Sequence, residues 1–235
     1  MKKEIWNIEQ TRELVISRFG EDQLELAKPS LQSVNDRLTF SKFHYLEINS
    51  LFSAFKSSHL GEGETILGLS ESAEKEYFQM MLKIGAHAVA CLQSLHSVGD
   101  ILANAIYFSI GMNLSLHPLK DREISIYSVQ KKLKGIPEFN EITTEIDLLL
   151  ESNEYLYLVA ATNSSKHRNL VPPNITEDWT GSKLKLHEIT FEPFIHAGKS
   201  YMRCPIEEPL KPVFEKFSKL IVNSGNTINS YLIKI

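Results

Sequence analysis

The sequence predicts a mainly α-helical bundle with long central helices and one β-hairpin just before its last helix. Three observations carry this reading. Several long stretches place apolar residues at helical spacing. One of them, ESAEKEYFQMMLKIGAHAVACLQSLHSVGDILANAIYFSIGMN, is apolar around most of its circumference, as in a helix buried on several sides. A single late stretch, at about 183–204, alternates apolar and polar residues instead.

Taken in order, NIEQTRELVISRF has Ile8, Leu14, Val15 and Ile16 near helical spacing. Pro29 is expected to interrupt the chain after this first helix. A second helix then places Leu38, Phe43, Leu46, Leu51 and Phe55 on or near one face. HLGEGETILGLS reads as a loop, since its glycines lack the spacing and the Lys-Ser/Thr ending of a phosphate loop. The central helix begins with Glu71 and Glu74, where the helix dipole favours acids. REISIYSVQKKLKG is a shorter amphipathic helix closed by Gly135. From Pro137 to Val171 the chain reads as one long helix, or two joined near Ser152-Asn153, ended by Pro172 and Pro173. The hairpin carries Leu184, Leu186, Ile189, Phe191 and Phe194, turns at Gly198, and returns through Tyr201 and Met202. The last helix has Val213, Phe217, Leu220 and Ile221 as its core stripe. This divides the chain into an N-terminal helical extension, 1–69, and a bundle with its hairpin, 70–235.

Bulk properties narrow the function classes. At 235 residues the chain suits one elaborated domain or two small ones. With 43% hydrophobic and 23% charged residues it builds an ordinary core. A net charge of −4 argues against a broad electrostatic grip on nucleic acid and leaves room for a local basic site. Cys91 and Cys204 form neither a redox motif nor a zinc cluster. No secretory signal and no membrane-length apolar run is present, so a cytoplasmic location is expected.

Two polar stripes stand out on otherwise apolar helices. His96, Asp100 and Asn104 follow one another at i, i+4 and i+8 on the central helix. Asn163 and His167 are also four apart, flanked by Lys166 and Arg168 in ATNSSKHRNLVPP. If the stripes meet, they supply the parts of metal-independent RNA cleavage. A base takes the proton of a ribose 2′-hydroxyl, an acid protonates the leaving 5′-oxygen, and cations hold the transition-state charge. His167 would serve as base or acid, Lys166 and Arg168 would hold phosphate, and Asp100 would orient His96. The competing reading is structural. A His–Asp pair inside a helix can be a core hydrogen bond, and Lys-His-Arg is what a helix C-terminus attracts anyway. No metal or other cofactor is indicated: His96 and Asp100 lack an evident third ligand, and His87 points to the opposite side of the helix. His187 and His196, in the hairpin, are expected to be loop or surface histidines.

The long helix carrying LHSVGDILANAI and the later helix ending NSSKHRNLV resemble the HEPN superfamily, over about residues 70–172. The resemblance implies a helical bundle, pairing into a homodimer whose motifs line a shared cleft, and metal-independent ribonuclease activity in toxin–antitoxin, antiphage or RNA-processing systems, with a partner protein encoded nearby. The family motif is an Arg, often followed by a polar residue, with His four to six residues on. Here Arg168 and Asn169 match the opening, but the next histidine is His187 and His167 precedes the arginine. Two further classes stay open: a non-catalytic helical interaction or scaffold protein with a structural polar core, and a small-molecule binder between helices.

Overall fold

The computed structural model describes residues 5–61, 63–181 and 186–235. Over these residues the chain is mainly α, with a small antiparallel β region before the C-terminal helix. The helices are α1 (Ile8–Phe19), α2 (Glu21–His59), α3 (Glu71–Ser109), α4 (Ile126–Leu133), α5 (Asn140–Leu150), α6 (Asn153–His167) and α7 (Glu207–Lys234). The strands are β1 (Pro173–Glu177), β2 (His187–Phe191), β3 (Phe194–His196), β4 (Lys199–Tyr201) and β5 (Cys204–Pro205). No helix among the described residues is long and apolar enough to cross a membrane.

The chain gathers into two compact units. The first comprises Met1–Thr39, Ser97–Ser152 and Val213–Ile235; the second comprises Phe40–His96 and Asn153–Pro212. The stretch before residue 70 therefore supplies part of each unit.

In the first unit, α1, the first part of α2, the later part of α3, α4, α5 and most of α7 surround a core that includes Leu31, Leu102, Ile106, Phe139 and Phe217. Pro29 lies inside α2 rather than interrupting it. Its ring faces outward, and the residue four back, Glu25, is also exposed, so water can serve the carbonyl that loses its amide partner. On the opposite face Gln23, Ala27, Leu31 and Val34 are buried at helical spacing and hold the helix together. The Gln23 amide donates to the Phe108 carbonyl at 2.5 Å and pairs with Asn113, tying α2 to the end of α3. Glu145 of α5 accepts from Lys219 at 2.9 Å and from Asn223 at 2.8 Å, which registers α5 on α7. The chain before α1 is anchored too: Trp6 Nε1 donates to Thr11 Oγ1, which donates to Asn229 Oδ1 on α7.

In the second unit, α2 and α3 run antiparallel. Cys91 Sγ donates to the Ser41 carbonyl at 3.3 Å, Phe55 packs on Tyr77, and His59 meets Glu76 at 2.9 Å. Burial pushes the Cys91 thiol up to about 12, and raises Cys204 as well. α6 joins this pair through the Thr162 hydroxyl, which donates to the Leu92 carbonyl at 3.3 Å. Its Tyr157 stands edge-on to Phe194 and Tyr201, bringing the strands onto the helix.

The β region is richer than one hairpin. β1, β2 and β5 form an antiparallel sheet in the order β1-β2-β5, with Pro173 opposite Phe191 and Glu177 opposite His187. α6 already stops at His167, ahead of the expected end at Pro172 and Pro173, and Pro173 opens an edge strand, a position where a missing N–H costs nothing. β3 and β4 form the predicted turn at Gly198: Ala197 and Gly198 have φ of 50° and 80°, the two positive values of a tight hairpin turn. Leu184, expected in the first arm, lies outside the described residues.

Candidate functional site

α6 buries Tyr155, Leu158, Ala161 and Thr162 and ends in a cluster that faces solvent. Lys166, His167, Arg168 and Asn169 are all exposed, and Asn163, one turn earlier, is half-buried. The two serines before the cluster fix its exit. The Ser164 carbonyl accepts from the amides of Arg168 at 2.9 Å and Asn169 at 3.2 Å, and the Ser164 hydroxyl donates to the Asn169 carbonyl. The Ser165 hydroxyl accepts from the Val171 amide. These contacts close the carbonyl end of the helix without a glycine. The result is a guanidinium with a planar fork, an ammonium and an imidazole on consecutive residues at the negative end of a helix dipole. The His167 ring makes no hydrogen bond to a described residue.

The stripe on α3 is used locally. Asp100 is exposed, and its Oδ1 accepts from the Ile126 amide at 3.2 Å, at the first turn of α4. Asn104 Nδ2 donates to the Asp100 main-chain carbonyl at 2.8 Å. A Cβ built on Gly99, between them and His96, would meet Ile126 and Phe217 at 3.5 Å, so α3 lies close against both side chains here. His96 is half-buried and belongs to the second unit, while Asp100 and Asn104 belong to the first. Within the second unit, the α3–α6 contact at Leu92 and Thr162 lies one turn before His96 and next to Asn163.

Two histidine pairs have no precursor in the sequence pattern. His44 of α2 and His87 of α3 touch through their Nδ1 atoms at 2.9 Å, with the Phe43 ring edge-on to both. Burial, and then His87, lower the pKa of His44, against a smaller raising effect of Glu47. The only signal in the sequence was a histidine on each helix, which means nothing until the helix register is known.

His187, expected at the surface, is instead buried, with its side chain 1% exposed and Nε2 at 3.0 Å from Glu177 Oε1. The same carboxylate oxygen accepts from the Ile66 amide at 2.7 Å, and Phe52 packs edge-on against the imidazole. The burial follows from β1: it places Glu177 directly opposite His187 in the sheet. His187 Nδ1 is buried with no hydrogen-bond partner among the described residues. The histidine borders a cavity of about 250 Å³ shared with Tyr45, Asn49, Phe52, Lys56 and Glu207. Burial, and then Glu207, raise the Tyr45 phenol. His196 sits half-buried beside the β3–β4 turn.

Among the described residues, no group of three His, Cys, Asp or Glu side chains is placed to hold a metal. No protein-family model, curated protein or solved structure matches the chain.

Proposed function

We propose that the chain is a HEPN-like protein, cytoplasmic and homodimeric, that acts on RNA at the exposed C-terminal end of α6. The observation that supports this reading is the Lys166–His167–Arg168–Asn169 cluster, solvent-facing and held in place by Ser164 and Ser165. Arg168 and Lys166 hold the phosphate, the first through its fork and the second as a point charge. His167 moves the proton, taking it from the ribose 2′-hydroxyl or giving one to the leaving 5′-oxygen. Asn163, one turn back, positions the ribose or the phosphate. His96 adds a second imidazole from α3. Asp100, in the first unit, is engaged by the Ile126 amide and is left out of this site. A site this small suits a chain of net charge −4, which argues against a broad electrostatic grip on nucleic acid.

The test is RNA cleavage by purified protein in EDTA, wild type beside His167→Ala and Lys166→Ala/Arg168→Ala, with a size standard in parallel. Cleavage by wild type and a loss of about a hundredfold or more in His167→Ala is the expected result. Equal cleavage by His167→Ala would remove His167 from the chemistry.

The second reading is a non-catalytic interaction protein, with a partner encoded nearby and a polar stripe that only braces the fold. Asp100 favours it, because its carboxylate serves the start of α4. A folded dimer that neither cleaves nor binds RNA would establish this reading over the first.

A further inference from the structure

We propose that His44 and His87 form a binding site for one divalent transition-metal ion of the nickel and copper class, held in cis by their two Nδ1 atoms. This site shares no residue with the RNA reading and does not depend on it.

The register of α2 on α3 fixes the pair. Ser41 meets Cys91 on one side of it, and Phe55 meets Tyr77 on the other. The two Nδ1 atoms lie 2.9 Å apart. Imidazole nitrogens bind such ions at about 2.0–2.1 Å, so two of them at a right angle stand about 2.9 Å from each other. That right angle is the cis angle of square-planar and octahedral ions, whereas a tetrahedral ion wants about 3.3 Å. The two side chains therefore already approach to the donor spacing the ion requires. Binding then requires both imidazoles, whose planes are inclined at 48°, to reorient about their side-chain bonds until both lone pairs meet at the ion.

Both histidines are half-buried, so solvent can reach the ion and fill its other positions. Two donors are what the protein supplies, since no third His, Cys, Asp or Glu joins them among the described residues. Glu47, one turn after His44, acts electrostatically on that ring and adds a negative potential that favours a cation. Phe43 walls the pair on one side.

The proton balance is simple. In the free pair one Nδ1 carries a proton and donates it to the other, whose proton is on Nε2. When the ion binds, the donor ring gives up its Nδ1 proton to solvent and takes one at Nε2. Both rings end neutral, each with Nδ1 on the metal, and no net proton is released.

The experiment is calorimetric titration of tag-free, EDTA-stripped and dialysed full-length protein with nickel chloride. Wild type is compared with His44→Gln, His87→Gln and, as control, His117→Gln, an exposed loop residue. Wild type and His117→Gln should bind one Ni(II) per chain, and each of the other two should bind roughly tenfold more weakly or worse, a loss of about 1.4 kcal/mol or more. Mg(II), a hard cation that prefers oxygen, should give no binding heat. Unchanged binding in His44→Gln and His87→Gln, no saturable binding by wild type, or equal binding of Mg(II) would each overturn the site. Circular dichroism without metal confirms that the variants fold. A second readout needs no variant: substoichiometric Ni(II) should broaden the ring resonances of His44 and His87 before those of other histidines, and any other order would reject the assignment.

Discussion

The indole of Trp6 lies against the backbone of Gly225, so close that a Cβ at residue 225 would overlap the ring. Trp6 is buried and hydrogen-bonded through Nε1 to Thr11, so it has no free direction in which to retreat. Gly225→Ala should therefore cost about 1–3 kcal/mol by overpacking. Chemical denaturation followed by tryptophan fluorescence measures it. A variant as stable as wild type would mean that the N-terminal segment packs elsewhere.

Asp100 and Ile126 offer a separation of structure from chemistry. Asp100→Ala removes an acceptor from the first turn of α4, and the expected loss is about 1 kcal/mol. Asp100→Asn keeps a side-chain oxygen and should stay within a few tenths of wild type. If the carboxylate only braces α4, Asp100→Asn should also cleave RNA as wild type does. A large loss of cleavage with unchanged stability would assign its charge to the reaction.

Glu177 satisfies two donors from two different segments, Ile66 N and His187 Nε2. Glu177→Ala strands both and should cost about 1–3 kcal/mol for each group left unpaired. Glu177→Gln retains one oxygen for the Ile66 amide and should fall between the alanine variant and wild type. A urea midpoint for Glu177→Ala indistinguishable from wild type would refute the role of this carboxylate as a shared acceptor.

His44 makes stability depend on pH with a definite sign. Its folded pKa is lowered from 6.5, chiefly by burial and then by His87. Between the folded value and 6.5 the unfolded chain binds the proton and the native chain does not. The contribution is thus fully present above the unfolded value and is lost as pH falls through the folded one. Urea midpoints across about pH 7.5 to 5 should decline less steeply in His44→Gln than in wild type. An equal or steeper decline in the variant would contradict this linkage.

The helices were largely legible because their signals are local. The apolar run from Tyr77 to Ile110, the acids at Glu71 and Glu74, and the break at Ser152-Asn153 each lie within a few residues of the element they mark. Pro29 misled because a proline breaks a helix only where the lost bond is not replaced, and its neighbours face water. β1 was hidden by the same residue type: a proline expected to end a helix instead opens an edge strand at Pro173. Of the candidate site, the exposure of Lys166, His167 and Arg168 followed from their place at a helix end. The use of Asp100 by Ile126, and the meetings of His44 with His87 and of His187 with Glu177, did not. Each joins residues from separate elements, and their encounter depends on register and strand pairing that no local pattern carries.

The second unit contains two thiols set at different depths. Cys91 is sealed between α2 and α3 with its ionisation pushed up to about 12, while Cys204 sits half-buried at the sheet margin. Alkylating reagents attack the thiolate, so Cys91 reacts only when the two helices part. Cys204 needs only a local breath of the strands. Pulse labelling with an alkylating reagent would therefore time two kinds of opening in one molecule, with no probe added to the native sequence.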